Sequence, residues 1–442
     1  MKPFPTALLA GLAVSLAGCA GLSAADRGPR TDPVARLIPR GPSPWAEDLG
    51  DPALRELLAR ADAGALDIKT AMARLERADG ELEDAEAAGR LRITIGAAAA
   101  IGRSRLSETR SAATPTLEGT YDLDIWHRFA RGRKAAGEDR KAAVWDLDAA
   151  RLQVAAETVR AYAALQAARD AEASAIRRRE AAASAVELVR LRASAGAASG
   201  REIDPRSHAA MAAEALARQA LGEAALQLAR LGDLTGQRDV FAPSQAPRGV
   251  PASPASATSA RVDARPDVQA AFARLAAADQ RRAAAVLASR PQFQIAAAFG
   301  APDAAIAPRL DVRALAWAVA GTVAREVLDG GARRAHVHIA SAEADLADLA
   351  YRQTVLTGWS EIRAALAAEA DAAAQVALAD DDLATAREAL RTVRARHAAG
   401  VADGLAAAAV AEQVEAANDT ARQARLASVE ARVRRVLATG GR

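Results

Sequence analysis

The side chains best suited to chemistry in this chain are five histidines and a single cysteine. His336 and His338 are two positions apart, which puts them on different faces of a helix instead of at the i, i+4 spacing of a chelating pair. His127, His208 and His397 have no cluster of ligating residues near them in sequence. No glycine-rich loop follows a strand pattern, and the chain has neither a zinc spacing nor a nucleophile elbow. The sequence therefore predicts no enzyme, no metal site and no bound cofactor. That leaves Cys19, which cannot form an internal disulfide because it has no partner in the chain.

The context of Cys19 points to a covalent lipid. Lys2 precedes an apolar run from Ala7 to Ala17, too short to span a bilayer, and small residues lead into Leu16-Ala17-Gly18-Cys19. This resembles the bacterial lipobox, in which the chain is cut before the cysteine and the new N-terminus is acylated. Residues 1–18 read as a lipoprotein signal peptide, and Cys19 is expected to carry diacylglycerol and an N-acyl chain. Each buried methylene of such chains contributes about 0.8 kcal/mol to membrane anchoring. Residues 19–50, with Pro29, Pro33, Pro39, Pro42 and Pro44, read as an extended tether, with Trp45 as an anchor to the folded body.

The remaining elements are predominantly helical. Hydrophobic residues are 51% of the chain, but most are alanine, and aromatics are only 3%. Such a chain fills a thick globular core poorly, and long helices in close contact through alanine suit it better. The net charge of +3 arises from 58 basic and 55 acidic residues scattered together, a solvated mixed surface with no nucleic-acid footprint. No apolar window beyond the leader is long enough for a transmembrane helix.

One turn occurs twice, as R-x-x-x-G-x-x-x-G at Arg192, Gly196 and Gly200 and again at Arg396, Gly400 and Gly404, 204 positions later. Each copy ends a long Ala-rich helical pattern and begins another, so each reads as a hairpin tip. The helix before the first tip is predicted from Arg133 to about Ala195, roughly 64 residues and about 96 Å. Its seven-residue pairs are Leu147 with Val154, Leu152 with Val159 and Thr158 with Leu165. The helix before the second tip has Leu349 with Leu356, Val355 with Ile362 and Leu383 with Leu390. Earlier, Asp51 is a predicted N-cap with Pro52 at the first helical position, and the helix runs toward Ala88 with Gly64 and Gly80 as weak points.

Between these helices the period changes from 3.6 to 2. Ile93, Ile95 and Ile101 share a face with Ala97 and Ala99 in a strand over 91–102, and a polar stretch covers 103–115. Leu117, Tyr121, Leu123 and Ile125 then alternate with Thr116, Glu118, Thr120, Asp122 and Asp124. About ten tilted strand residues cross a hydrocarbon layer. The second half repeats the order, with Ala71-Met-Ala-Arg-Leu75 matching Ala271-Phe-Ala-Arg-Leu275, and Ile95 matching Ile295, at an offset of 200. Thr235-Gly236 matches Thr439-Gly440 at 204. The second pair of strands is predicted over 292–301 and 310–320. The chain thus divides into a first repeat over 51–240, a linker over 241–264 and a second repeat over 265–442.

Four strands cannot close a membrane barrel, since the smallest use eight, so several chains must contribute to one. The duplication, the two tips, Tyr121-Asp-Leu-Asp-Ile-Trp126 and Leu328-Asp-Gly-Gly331 together resemble the TolC-like outer-membrane efflux proteins, in particular the NodT-type lipoprotein branch, over residues 40–440. The resemblance implies a mainly α fold with a small β part. It implies a homotrimer whose four strands per chain make a twelve-stranded outer-membrane β-barrel, continued by a periplasmic α-barrel. It further implies a passive exit duct docked to a periplasmic membrane-fusion adaptor and an inner-membrane pump of the RND type. Carried over by position, Arg192, Gly196, Gly200, Arg396, Gly400 and Gly404 form the adaptor-facing tips. Glu202, Asp204 and Asp403 become pore-mouth acids, an incomplete ring because Ala406 to Ala409 follow the second tip. The chain departs from the family pattern at His127, where glycine is usual, and lacks the proline usual before Asp329-Gly-Gly331. A lipid-anchored coiled-coil protein that bridges envelope layers without conducting is the competing class; an adaptor subunit also carries helical hairpins, but the twofold repeat and the alternating strand pairs argue against it.

Overall fold

The computed structural model describes residues 51–104, 107–196, 203–237, 262–300, 316–326, 328–401 and 403–441. The signal peptide, Cys19, the tether, Gly200, Glu202 and residues 241–261 of the expected linker lie outside the described residues. Each half begins with short helices. In the first half, α1 (Pro52–Gly64) and α2 (Leu66–Ala87) are separated by Ala65, so the predicted single helix breaks at Gly64 and passes through Gly80 unbroken. Asp51 caps α1 as its N-cap, with its carboxylate accepting from the Ala53 N–H at 2.9 Å and from the Tyr162 hydroxyl at 2.6 Å. Burial and that hydrogen bond push the Tyr162 hydroxyl up to about 12.

Strands β1 (Arg92–Ser104) and β2 (Ser107–Leu123) follow, then the long helix α3 (Arg128–Ser194) and its return α4 (Ile203–Thr235). The expected polar connection therefore shrinks, because residues 107–115 pair with β1 as strand. In the second half a 3₁₀ turn (Val262–Ala264) leads to α5 (Pro266–Leu287), β3 (Gln292–Gly300), β4 (Ala316–Ala324), α6 (Ala332–Ala398) and α7 (Gly404–Ala438). Val262 is 4% exposed and packs with Val268, Ile362, Ala365 and Ala438, so the folded body begins before Ala264. At 67 residues each, α3 and α6 are rods of about 100 Å.

The four strands form one antiparallel sheet in the order β1-β2-β3-β4. Register places Ile95, Leu117, Phe299 and Trp317 in one row across all four strands, and Leu123, Phe293 and Val323 in another. Directly opposed residues share a face, so these rows make one apolar face. Ile95 is 84% exposed and Trp317 76%. The opposite face carries Thr94, Glu118, Asp122, Gln294 and Thr322, with the Gln294 amide donating to Asp122 at 2.9 Å.

Both long helices start in the same way. Asp124 accepts from the backbone N–H groups of Phe129 (3.0 Å) and Ala130 (2.9 Å), while His127 takes a left-handed φ of 61°. Asp329 accepts from Gly331 and Arg333 N–H, each at 3.0 Å, with Gly331 at φ 92°. A left-handed residue costs a non-glycine side chain about 1–2 kcal/mol. His127 carries that strain where the second repeat uses glycine.

The core is thin and central. Leu54 and Leu58 of α1 meet Leu152, Ala156 and Val159 of α3 and Val429, Val433 and Val436 of α7. Leu57 meets Leu165, Ala224 and Leu231. All the seven-residue pairs predicted on α3 are buried, but on α6 Leu349 and Leu356 are exposed while Ile362 and Leu383 are buried. The two repeats close alike at their ends. A Cβ added to Gly64 would lie 1.8 Å from the Thr235 carbonyl oxygen, and one added to Gly440 would lie 3.2 Å from the Ala264 oxygen, 200 positions after Gly64. Gly64→Ala is therefore expected to lower the thermal midpoint of the detergent-solubilised protein sharply. Gly80→Ala, in open space within α2, is expected to raise stability by about 1 kcal/mol. Thermal denaturation followed by circular dichroism checks both.

Candidate functional site at the hairpin tips

At the first tip α3 ends as its chemistry dictates, with Ala195 N–H bonded to the Leu191 carbonyl (3.1 Å), Gly196 N–H to Ala193 (3.1 Å), and Gly196 at φ 69°. The second tip repeats this. Ala399 N–H bonds to Ala395 (3.0 Å), Gly400 N–H to His397 (2.9 Å) and Val401 N–H to Arg396 (2.9 Å), with Gly400 at φ 74°. The last pair is a Schellman closure, which satisfies carbonyls that a helix end leaves open. The paired glycines are thus needed for positive φ, and nothing lies within 4 Å of a Cβ at either. Gly404 has a different reason: a Cβ there would meet His397 Cε1 at 3.3 Å and Leu188 Cδ2 at 4.0 Å, where α7 begins against the two long helices.

The structure joins the two tips through residues that the sequence assigned separately. Arg192 grips Asp403 with both guanidinium nitrogens, at 2.6 and 3.3 Å. Asp403 also caps α7 by accepting from the Leu405 N–H at 3.3 Å. The Arg192 hydrogen bond, with the Leu405 N–H, holds the Asp403 carboxyl below the usual carboxylate range. Asp403 is therefore an acid already neutralised within the chain. Asp204, in the first turn of α4, is exposed, as are Arg396, Gly196 and Gly400. Among the described residues no three His, Cys, Asp or Glu side chains come together in a way that could hold a metal ion.

Above the tips lies a seam that sequence reasoning missed. Within each hairpin the buried contacts are apolar, Ala161, Leu165 and Ala168 against Ala224 and Leu231 in the first and Ala379 and Leu383 against Val414, Ala421 and Ala424 in the second, flanked by exposed ion pairs such as Arg179 with Glu214 and Arg425 with Asp380. Between hairpins, the tip-ward stretch of α3 against α7 is ionic. Arg177 makes a fork on Glu415 with both distances 2.9 Å, the buried Ser174 hydroxyl donates to the same carboxylate at 2.7 Å, and Arg178 reaches Glu412 (3.2 Å) and Asp419 (2.7 Å). Burial would raise Glu415, but the hydrogen bonds from Arg177 and Ser174 outweigh it and hold the carboxyl low. Asp170 is pushed up by burial although Arg422 and Arg425 oppose the shift. The signal available in sequence was the 3-4 spacing of Glu412, Glu415 and Asp419 on one helix face.

With this geometry in place, the comparisons with known proteins are decisive. The model of the outer membrane efflux protein family matches residues 57–237 and again 259–441, one match to each half. The chain belongs to the outer membrane efflux protein family. Among its relatives, outer membrane protein OprJ of Pseudomonas aeruginosa is 33% identical over 144 residues, 32% of this chain and 29% of that protein. The aligned stretch thus spans under a third of that relative's length. The fold is that of the outer-membrane channel OprN, with a TM-score of 0.80 and 24% identity over 91% of this chain and 93% of that one. It is also that of the CmeC outer membrane channel of Campylobacter jejuni, with a TM-score of 0.80 and 18% identity over 90% and 88%.

The seam and the tip share a pH dependence. Asp403 and Glu415 have lowered folded-state values, so their ion pairs contribute in full above the ordinary carboxylate range and are lost as pH falls through the lower folded values. Spin labels placed on α3 and α7 beside Arg177 and Glu415 are expected to move apart as pH drops below about 4. Glu415→Gln is expected to cost about 1–3 kcal/mol, whereas Glu388→Gln, which removes an exposed i, i+3 pair with Arg391, changes stability by less than about 0.5 kcal/mol. Thermal midpoints of the two variants distinguish these outcomes.

Proposed function

We propose that this family member is the passive outer-membrane exit duct of a tripartite efflux system. It would receive small molecules from a periplasmic adaptor and an inner-membrane pump of the RND type. The observation that carries this reading is the join between a four-stranded sheet, apolar on one face and polar on the other, and two 67-residue helices. Strands of 13 and 17 residues are long enough to cross a hydrocarbon layer. Among the described residues no helix is long and apolar enough to do so.

Three copies would close the sheet into twelve strands, pairing β1 of one with β4 of the next. The flanking helices support the same assembly. In the chain α3 and α7 are covered on both sides, whereas α4 exposes Met211, Leu221 and Leu226, and α6 exposes Ile339, Leu346, Leu349 and Leu356. A neighbouring copy would bury these faces, which accounts for Leu349 and Leu356 lying outside the core of a single chain. The six tips of such a trimer would meet the adaptor, with Arg192, Gly196, Gly200, Arg396, Gly400 and Gly404 as the docking surface. Glu202 and Asp204 are the acids left to line the mouth once Asp403 is paired with Arg192. Acylation of Cys19 would hold the chain at the same membrane.

Single-channel conductance and heat-modifiable trimers from isolated outer membranes are the expected results. A monomer released from membranes when Cys19→Ser removes the acyl anchor would overturn the reading. Gly196→Leu combined with Gly400→Leu is expected to reduce pump-dependent export to the level of a strain lacking the chain, with trimers still in the membrane. Normal export by that variant would remove the tips from the mechanism.

A further inference from the structure

The four junctions where strands meet helices carry an excess of positive charge. The described residues of 88–92, 123–134, 288–292 and 325–334 include ten arginines and lysines against three acids, in a chain whose net charge is only +3. Two of the three acids, Asp124 and Asp329, are committed to helix N-termini by hydrogen bonds to backbone N–H groups. Backbone hydrogen bonds and the Arg333 side chain hold Asp329 at about 2, so it stays ionised there. Arg90 is paired with Glu86 at 3.1 Å and Arg333 with Asp329 at 2.6 Å, but among the described residues no carboxylate pairs with Arg128, Arg290 or Arg325.

This charge lies where the apolar face of the sheet stops. The last apolar row is Leu123, Phe293 and Val323, and each strand residue of that row is followed within a few positions by an arginine: Arg128, or Arg325, or, on the preceding side, Arg290. Leu91 continues the face on β1, since a Cβ at Gly119 would meet its Cδ1 at 3.8 Å, and Arg90 adjoins it. At the same level the Trp126 indole donates to the Pro291 carbonyl at 2.8 Å, leaving the ring partly exposed beneath the Arg290 guanidinium, 5.6 Å from its centre. An indole fixed at the edge of an apolar belt with guanidinium groups around it is the chemistry of a lipid interface. Arg90, Arg290 and Arg325 are all exposed. Aromatics are only 3% of the chain, which leaves few aromatic side chains for an interfacial girdle.

We propose that this collar, built on Trp126 with Arg90, Arg128, Arg290 and Arg325, binds the headgroup phosphates of anionic phospholipids in the periplasmic leaflet and so fixes the depth of the sheet in the membrane. The proposal rests on the reading of the sheet as membrane-spanning. Guanidinium pairs with phosphate through two parallel hydrogen bonds, and an anionic headgroup adds net charge attraction that a zwitterionic one lacks. Continuity with the apolar face selects a lipid over a soluble anion, because the acyl chains would lie on Leu91, Phe293 and Val323.

The test is native mass spectrometry of the full-length protein, titrated with phosphatidylglycerol or phosphatidylcholine in detergent, with inorganic phosphate as a further arm. The wild type is expected to retain phosphatidylglycerol preferentially. Arg90→Gln, Arg290→Gln and Arg325→Gln are each expected to weaken that retention about fivefold. Arg179→Gln and Arg218→Gln, on exposed arginines of the hairpin, should leave it unchanged. Equal retention of both lipids, no effect of the three substitutions, or displacement of lipid by millimolar-scale phosphate alone would overturn the proposal. Circular dichroism of each variant separates loss of lipid from loss of fold. Conductance in phosphatidylcholine bilayers keeps the two readings apart: a protein that conducts there but shows no headgroup preference retains the duct reading and loses the collar.

Discussion

A backbone N–H or C=O placed in hydrocarbon without a partner costs several kcal/mol, and the sheet of this chain has two such edges. Among the described residues β1 pairs only with β2, and β4 only with β3. The apolar face cannot be left in water either, since Ile95 and Trp317 stand almost fully exposed upon it. Copies of the chain joined edge to edge in a membrane, as proposed, would meet both demands together. In the proposed trimer the remaining architecture follows from that closure, because helices fed by neighbouring strands of a closed sheet would themselves pack as a ring.

The helices themselves pack through very small side chains. Alanines fill much of the buried surface of α3, α6 and α7, and few of the wholly buried side chains are larger than leucine. Helices that meet through alanine come close, and the register between them is set by the occasional leucine or valine, as where Leu152 and Val159 meet Val429 and Val433. Close approach also explains Gly64, whose hydrogen lies where any Cβ would strike the end of α4. The same economy of large side chains limits what apolar packing contributes between hairpins. Toward the tips the contact passes to charge, in the Arg177–Glu415 and Arg192–Asp403 pairs.

Buried apolar contacts, which carry most of the packing within hairpins, and ion pairs, which carry more of the contact between them near the tips, have different physical responses. Burial of methyl and methylene groups is insensitive to salt and proton concentration, whereas partly exposed ion pairs weaken with both. The junction of the two hairpins near the tips is therefore expected to respond to pH before the buried apolar contacts within each hairpin do. Higher up, the valine and leucine contacts of α1, α3 and α7 hold the repeats together without charge.

By itself the sequence determined everything that depends on neighbours along the chain. The change from a period of 3.6 to a period of 2 located the strands, the tip glycines at Gly196 and Gly400 located the helix ends, Asp51-Pro52 located a helix start, and matches at constant offset revealed the duplication. The strand over residues 107–115 was missed because its alternation is weak and its pairing with β1 supplies the order instead. Tertiary structure alone decided which acids are spoken for: Asp403 meets Arg192, and Glu415 meets Arg177, across more than two hundred positions. It also decided which of two seven-residue registers on α6 meets the core: Leu349 and Leu356 share one and are exposed, whereas Ile362 and Leu383 share the other, one position away, and are buried. A repeat of seven fixes which residues share a face of one helix. Only the placement of other helices around it determines whether that face meets the same chain or is left for another.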